Sequence, residues 1–306
     1  MLDIVGKRYW FFALSLFVII PGIVAIIIWG LPLAIDFTGG SLLEVRFESG
    51  QPPEPAQVVQ LYEEYGIRDA SVQTVGTDEI SARSKSIDDE TAASLVDEMQ
   101  ARFDSSVTVQ RFESVGPAVG AEVAQRASGA VGLATLGILL YITYAFRGVP
   151  NAFRFGFAAI LAMVHDVAVV IGIEAILGHF LGWEVDALFL TALLTVIGFS
   201  VHDSIVVFDR IRENQRVHRR LDFETLVNHS IVQTLDRSIN TQLTVMLTLL
   251  ALLLFGGVTT RHFVTILLIG VFSGTYSSIF NASPFLVVWE NREWHNWFRK
   301  SQPELS

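Results

Sequence analysis

The chain has 306 residues, 51% of them hydrophobic and only 17% charged, with a net charge of −10 and no cysteine. A soluble globular domain carries about 25% charged residues; the apolar surplus here falls in long runs that indicate membrane spans. Without cysteine no disulfide framework or thiolate metal site can form, and no basic footprint suited to nucleic acid is present.

Residues 1–8 carry Lys7 and Arg8 and precede a charge-free run from Tyr9 to Ile35. That run is too long for an ordinary signal-peptide core and lacks a clean small-residue cleavage site. It is expected to be retained as the first span, 9–35.

Residues 36–126 hold 17 acidic and 7 basic side chains, a balance of −10, so the rest of the chain sums to zero. One acidic, soluble domain therefore interrupts a membrane protein. Its pattern reads βαββαβ. "SLLEVRFES" alternates like a strand, and "PAQVVQLYEEYG" is a helix with Pro55 near its start and Gly66 past its end. "ASVQTVG" and "EISARSK" are strands around Gly76-Thr77-Asp78, and a helix opening at Ser86 places Leu95, Met99 and Phe103 on one face. "SVTVQRFESV" closes the unit. This order predicts an α+β, ferredoxin-like domain, which by itself indicates no chemistry. At its entrance, "DFTGG" places Gly39 and Gly40 where a span meets a strand. Their backbone freedom, with Asp36 accepting backbone hydrogen bonds, suits a hinge or a rigid corner. "VGPAVGAEV" at the exit has the same grammar: Gly116-Pro117 stops the strand and a helix starts.

Five further spans are expected within 127–288, making a six-helix membrane bundle. Ala127–Phe146 is uncharged, while Phe155–Leu177 contains Asp166 and Glu174. Ala187–His202 is short and extends to Phe208 through Asp203; Ser238–Thr260 and His262–Trp289 are uncharged with neutral histidines. Residues 289–306 form a tail. Lys7, Arg8, Arg147, Arg154, the five arginines from Arg210 to Arg220, and Arg292, Arg299 and Lys300 all fall on one side. The positive-inside rule makes that side, and both termini, cytoplasmic. The acidic domain is then outside.

A charge within a span is costly and marks a candidate functional site. Asp203 lies about one and a half turns before Asp209, and Arg237 lies at the cytoplasmic end of the next span, at similar depth. An Asp facing an Arg can exchange partners and protons. The alternative is a snorkelling Asp203 and an Arg237 that merely obeys the positive-inside rule. Val164-His165-Asp166-Val167 resembles Val201-His202-Asp203-Ser204, so Asp166, His165 and His202 are candidate relay groups or helix–helix contacts. Ser273, Gly274, Ser277 and Ser278 are small enough for close helix approach. No HExxH or GxxxxGK[ST] motif occurs, and "GFSVH" would need a histidine base from another helix. An enzyme is not expected, nor is a metal or an organic cofactor.

"DFTGG", "VGPAVGAEV", "GFSVHDSIVVFDRIREN" and "RSINT" together, in this order, resemble the SecF family of the SecDF protein-export complex, within the RND transporter superfamily. The resemblance covers nearly the whole chain. It implies a bacterial plasma-membrane protein with an extracytoplasmic domain and a SecD partner whose own six spans complete a pseudo-symmetric bundle. It implies work with the SecYEG channel on a translocating polypeptide, with protons as the coupling ion. Asp203 and Arg237 match positions implicated in proton conduction, with a further Asp contributed by SecD. Asp36, Gly39 and Gly40 would couple the domain to the spans. Two other readings share the fold: half of a proton-coupled small-molecule exporter, or a purely structural membrane subunit.

Overall fold

The computed structural model describes residues 2–149 and 152–295, apart from the side chains of residues 258 and 259. Met1, Arg299, Lys300 and most of the expected tail lie outside the described residues. The chain divides into two units, residues 33–129 and residues 1–32 together with 130–306.

The elements run α1 (Arg8–Trp29), α2 (Ile35–Thr38), β1 (Gly40–Phe47), α3 (Pro55–Glu64), β2 (Ser71–Val75), β3 (Glu79–Ser84), α4 (Asp89–Phe103), β4 (Val107–Val115) and α5 (Pro117–Ala145). Then follow α6 (Phe153–Leu181), α7 (Ala187–Val217), α8 (Phe223–Phe255), α9 (Val258–Ser277) and α10 (Ser283–Glu290). A π-helical turn, Ser278–Ala282, joins α9 to α10, so the two run on as one membrane-length helix. Pro284 sits in the first turn of α10 and has no N–H to continue the α-helical ladder. The wider turn ahead of it is partly closed by the Ser283 hydroxyl, which donates to the Ser278 carbonyl at 3.2 Å.

Six helices among the described residues are long and apolar enough to cross a membrane. Within their most apolar stretches, 44%, 50% and 56% of the residues of α6, α7 and the last helix are buried, against 6% for α5 and 11% for α8. The bundle is thus built on α6, α7 and α9. One row on α5 (Leu133, Leu136, Leu140, Tyr144) and one on α8 (Leu243, Leu247, Leu250, Leu254) remain exposed. At the opposite end of α1 from Trp29, Arg8 ties the bundle together, with ion pairs to Glu224 at 2.9 Å and Glu293 at 2.6 Å.

Lipid tails are as apolar as leucine, so helices associate by close packing rather than by hydrophobic burial. α1 meets α6 where a Cβ built on Gly22 would fall 2.7 Å from the Gly172 Cα. Backbone cannot yield there as a flexible side chain can. Gly172→Leu is therefore expected to push α1 off α6 at a cost of about 1–3 kcal/mol or more. The check is thermal unfolding of the full chain in detergent, where an unchanged midpoint would show that this crossing is not tightly packed.

The smaller unit has a four-stranded antiparallel sheet in the order β2-β3-β1-β4. Alternation along β1 sends Leu43, Val45 and Phe47 into the core, against Leu61 and Tyr62 of α3, Leu95 and Met99 of α4, and Ile80 of β3. Glu44, between two core positions, faces the other side of the sheet. Burial pushes its carboxyl up, against the pull of Arg111 and Arg83. The register of β1 on β4 slips between Glu44 and Val45, a bulge that locally increases strand twist. Asp88 rather than Ser86 caps α4, accepting from the Thr91 N–H at 3.0 Å. The Thr91 hydroxyl and backbone N–H hold its carboxyl below the ordinary carboxylate range.

Three expected boundaries move. The first span ends at Trp29, followed by Gly30 at φ 77°, and Ile35 starts the separate turn α2. The helix that carries the second span begins at Pro117, as Gly116-Pro117 indicated, ten residues ahead of the charge-free run at 127, because proline suits the first turn of a helix and no further proline interrupts it. The last helix continues to Glu290.

Candidate functional site

Three carboxylates are buried within the long helices: Asp166 and Glu174 on α6, and Asp203 on α7. Each has a different set of partners.

Asp203 is 2% exposed and, among the described residues, accepts one hydrogen bond, from the Gln242 side-chain nitrogen at 2.5 Å. Gln242 is itself buried, and its Oε1 has no partner among the described residues. It belongs to a row of polar positions on α8 at i, i+4 spacing: Ser230, Thr234, Ser238 and Gln242, all buried. That row lies on one helix face. Arg237 precedes Ser238 by one position, about 100° around the helix, and it is exposed. The expected facing pair of Asp203 and Arg237 is therefore replaced by Asp203 and Gln242. His202, beside Asp203 in sequence, points outward for the same reason and is exposed.

Asp166 is fully buried and well supplied with donors. Ser273 Oγ donates to it at 2.6 Å and Ser277 Oγ at 2.7 Å, and His165 Nδ1 lies 3.0 Å away. Gly274 permits this approach, since a Cβ there would sit 3.3 Å from the Ser200 Cα and 3.6 Å from Asp166 Oδ2. Beside it, Ser204 Oγ donates to Ser278 Oγ at 3.0 Å, and Ser278 Oγ donates to the Ser200 carbonyl at 2.9 Å. The Ser200 hydroxyl is buried with no partner. Asp166, Ser200, Ser204, Ser277 and Ser278 thus form a polar thread through the interface of α6, α7 and the last helix. The π-helical turn begins at Ser278, and such turns occur often at functional sites. The small residues expected to allow close packing do so and also supply the hydroxyl donors.

Glu174 lies eight residues beyond Asp166 on α6, about 12 Å along the axis. It is fully buried, and His262 Nε2 of α9 is 3.0 Å from its Oε2. Its Oε1 has no partner. The His262 ring lies 4.7 Å from Trp183 and 6.2 Å from Phe189. Sequence reasoning noted Glu174 and His262 only as features of two separate spans. Gln242 escaped it as well, because a search for charge passes over a neutral amide; the i, i+4 row is the signal that finds it.

In the smaller unit the expected coupling residues meet the other end of the same domain. Gly39 has φ 72° and Gly40 φ 124°. A Cβ on Gly39 would fall 2.7 Å from the Pro117 Cα, and one on Gly120 would fall 2.7 Å from the Gly39 nitrogen. "DFTGG" and "GPAVG" therefore touch backbone to backbone. Asp36 is the second residue of the short helix α2. No group of three or more His, Cys, Asp or Glu side chains among the described residues is arranged to hold a metal ion.

Comparison with known proteins places this geometry. The family profile "Protein export membrane protein SecD/SecF, C-terminal" matches residues 95–292, and the "SecD/SecF GG Motif" matches residues 24–51. A protein translocase subunit SecF of Anaerolinea thermophila is 62% identical over 307 residues, covering 100% of both chains. The protein translocase subunit SecDF of Thermus thermophilus is 40% identical over 86% of this chain and 35% of its own length. The crystal structure of Thermus thermophilus SecDF superposes with a TM-score of 0.82 at 37% identity, over 95% of this chain and 39% of that one. A SecDF structure in a super-membrane-facing form gives 0.68 at 36% identity, again over 39% of that chain. The relatives are named as translocase subunits, and in SecDF the matching region is one part of a longer polypeptide. The chain belongs to the SecD/SecF family of protein export membrane proteins.

Proposed function

We propose that this chain is the SecF-side membrane subunit of a protein-export complex, which with a SecD partner uses the proton gradient to promote translocation of polypeptides through SecYEG. The observation that carries the reading is Asp203, a carboxylate buried mid-helix and held by a neutral amide rather than a cation. Such a group can gain or lose a proton without breaking an ion pair. The exposed rows on α5 and α8 are the faces against which SecD packs. Arg237, on an exposed position of α8, then acts toward the partner's carboxylate instead of Asp203.

In this reading the membrane is the bacterial plasma membrane, the arginine-rich ends are cytoplasmic, and the βαββαβ unit is an extracytoplasmic, ferredoxin-like domain. Its element order and the strand order β2-β3-β1-β4 support that fold. The contact of Gly39 with Pro117 and Gly120 supports a rigid corner through which the domain responds to its flanking helices.

The test is late-stage export into inverted vesicles carrying SecYEG, with and without this chain and SecD, and with ATP supplied to the motor throughout. The subunits are expected to raise the yield only while a proton gradient stands. Full stimulation in vesicles treated with a protonophore would leave a structural subunit and remove the transducer.

A further inference from the structure

We propose that a cavity at the arginine-rich end of the bundle binds the phosphate of an anionic phospholipid headgroup. The cavity measures about 330 Å³ and is formed where the start of α6, the last turns of α7, the start of α8 and the end of α10 converge. Four arginines line it, Arg154, Arg212, Arg216 and Arg219, with a single carboxylate, Glu290.

The charges do not balance among the described residues. Arg154 is ion-paired with Glu290, and Arg212 with Asp209. Arg212 also donates to the Ala145 carbonyl at 3.3 Å and lies over the Phe146 ring, 5.3 Å from its centroid. Arg216 has no ion pair among the described residues, and the one hydrogen bond of Arg219 runs to the Arg216 carbonyl at 3.4 Å. Two guanidinium groups at the cavity thus lack a counter-charge among the described residues. The Arg154 Nε donor is in addition buried without an acceptor. Arginines that only needed cytoplasmic water, as the positive-inside rule requires, would spread apart to reduce repulsion. Here Arg212 and Arg216, four residues apart, share one face of α7 and meet Arg154 from α6 across one cavity.

The ligand chemistry follows from the wall. Planar guanidinium forks match phosphate oxygens in pairs. The half-buried Phe223 adds apolar surface beside the charges, which suits a headgroup that carries acyl chains better than a free anion. Basic pockets between membrane helices on the cytoplasmic side are known sites for acidic headgroups. The inference does not depend on proton use by Asp203.

Native mass spectrometry of the full chain in detergent tests it, with phosphatidylglycerol or phosphatidylcholine added as probe. The wild type is expected to retain phosphatidylglycerol and not phosphatidylcholine. In Arg216→Gln/Arg219→Gln, two exposed positions whose change leaves the packing intact, apparent affinity should fall about tenfold or more. Should that pair fail to elute as monodisperse protein, the single Arg216→Gln carries the same expectation of a severalfold loss. Lys7→Gln/Arg220→Gln removes equal charge away from the cavity and should retain the lipid. An equal loss in that control means a diffuse field and overturns the site. Saturation by inorganic phosphate alone, with no preference for phosphatidylglycerol, overturns the lipid assignment.

Discussion

Asp203→Asn is expected to leave the bundle folded and to abolish the response of export to the proton gradient. The substitution keeps the shape of the side chain and removes its capacity to ionise. Its oxygen can still accept from the Gln242 nitrogen, as Asp203 does at 2.5 Å. Its new NH₂ group meets a ready acceptor, because Gln242 Oε1 is buried without a partner. A reciprocal amide pair therefore replaces an amide–carboxylate bond, and no buried polar group is left newly unsatisfied. The unfolding midpoint should stay within about 3 °C of the parent, the equivalent of about 1 kcal/mol. Export driven by ATP alone should persist, while the increment added by the gradient disappears. The readout is late-stage export into energised vesicles, with assembly checked by co-purification of SecD. A variant that assembles and still shows the full gradient-dependent increment would return Asp203 to a packing role.

The contrast between Asp203 and Arg237 shows what a sequence reveals of such a site. Charge-free runs locate spans because a bilayer rejects charge, and this places both residues near the same arginine-rich end of their spans. Depth is one coordinate; the direction a side chain faces is another. Adjacent helix positions differ by about 100°, so Ser238 is buried while Arg237 is exposed. Burial on α8 follows polar residues at four-residue spacing, a pattern that neither charge nor hydropathy detects. The start of α5 was legible at Gly116-Pro117, although the charge-free run that marks its span begins only at residue 127. Hydropathy reports which residues prefer lipid, while the backbone helix begins ten residues earlier, where Pro117 and "AVGAEVAQR" favour it. The smaller unit was far more legible, since alternation in β1 and amphipathic spacing in α4 act within short segments. Glu174 and His262 are 88 residues apart, and no local pattern links them.

Asp166→Ala is expected to cause the largest loss of stability among the buried carboxylates, while Asp166→Asn causes little and retains the gradient response. Asp166 accepts from Ser273 and Ser277 and lies 3.0 Å from His165 Nδ1, so it joins α6 to α9 by a filled network. Alanine removes the acceptors and leaves a void between the two helices. Ser277 can fall back on the Gly274 carbonyl, which it already approaches at 3.3 Å, and Ser273 can turn to its own helix backbone. These retreats recover part of the cost, leaving about 2–4 kcal/mol from the unsatisfied groups and the cavity. That corresponds to a fall of roughly 5–10 °C in the unfolding midpoint, measured by tryptophan fluorescence in detergent. Asparagine keeps one acceptor oxygen, and its amide can donate to a serine hydroxyl that rotates to receive it, so most of the network survives. The two aspartates are thereby separated by opposite signatures. At Asp203 the isosteric amide should spare stability and abolish coupling, because the proposed role needs a group that ionises. At Asp166 it should spare both, because accepting hydrogen bonds is the function. A folded Asp166→Asn protein that lost the gradient response would place Asp166 on the proton path, with Ser277 and Ser200 as the hydroxyls next to it.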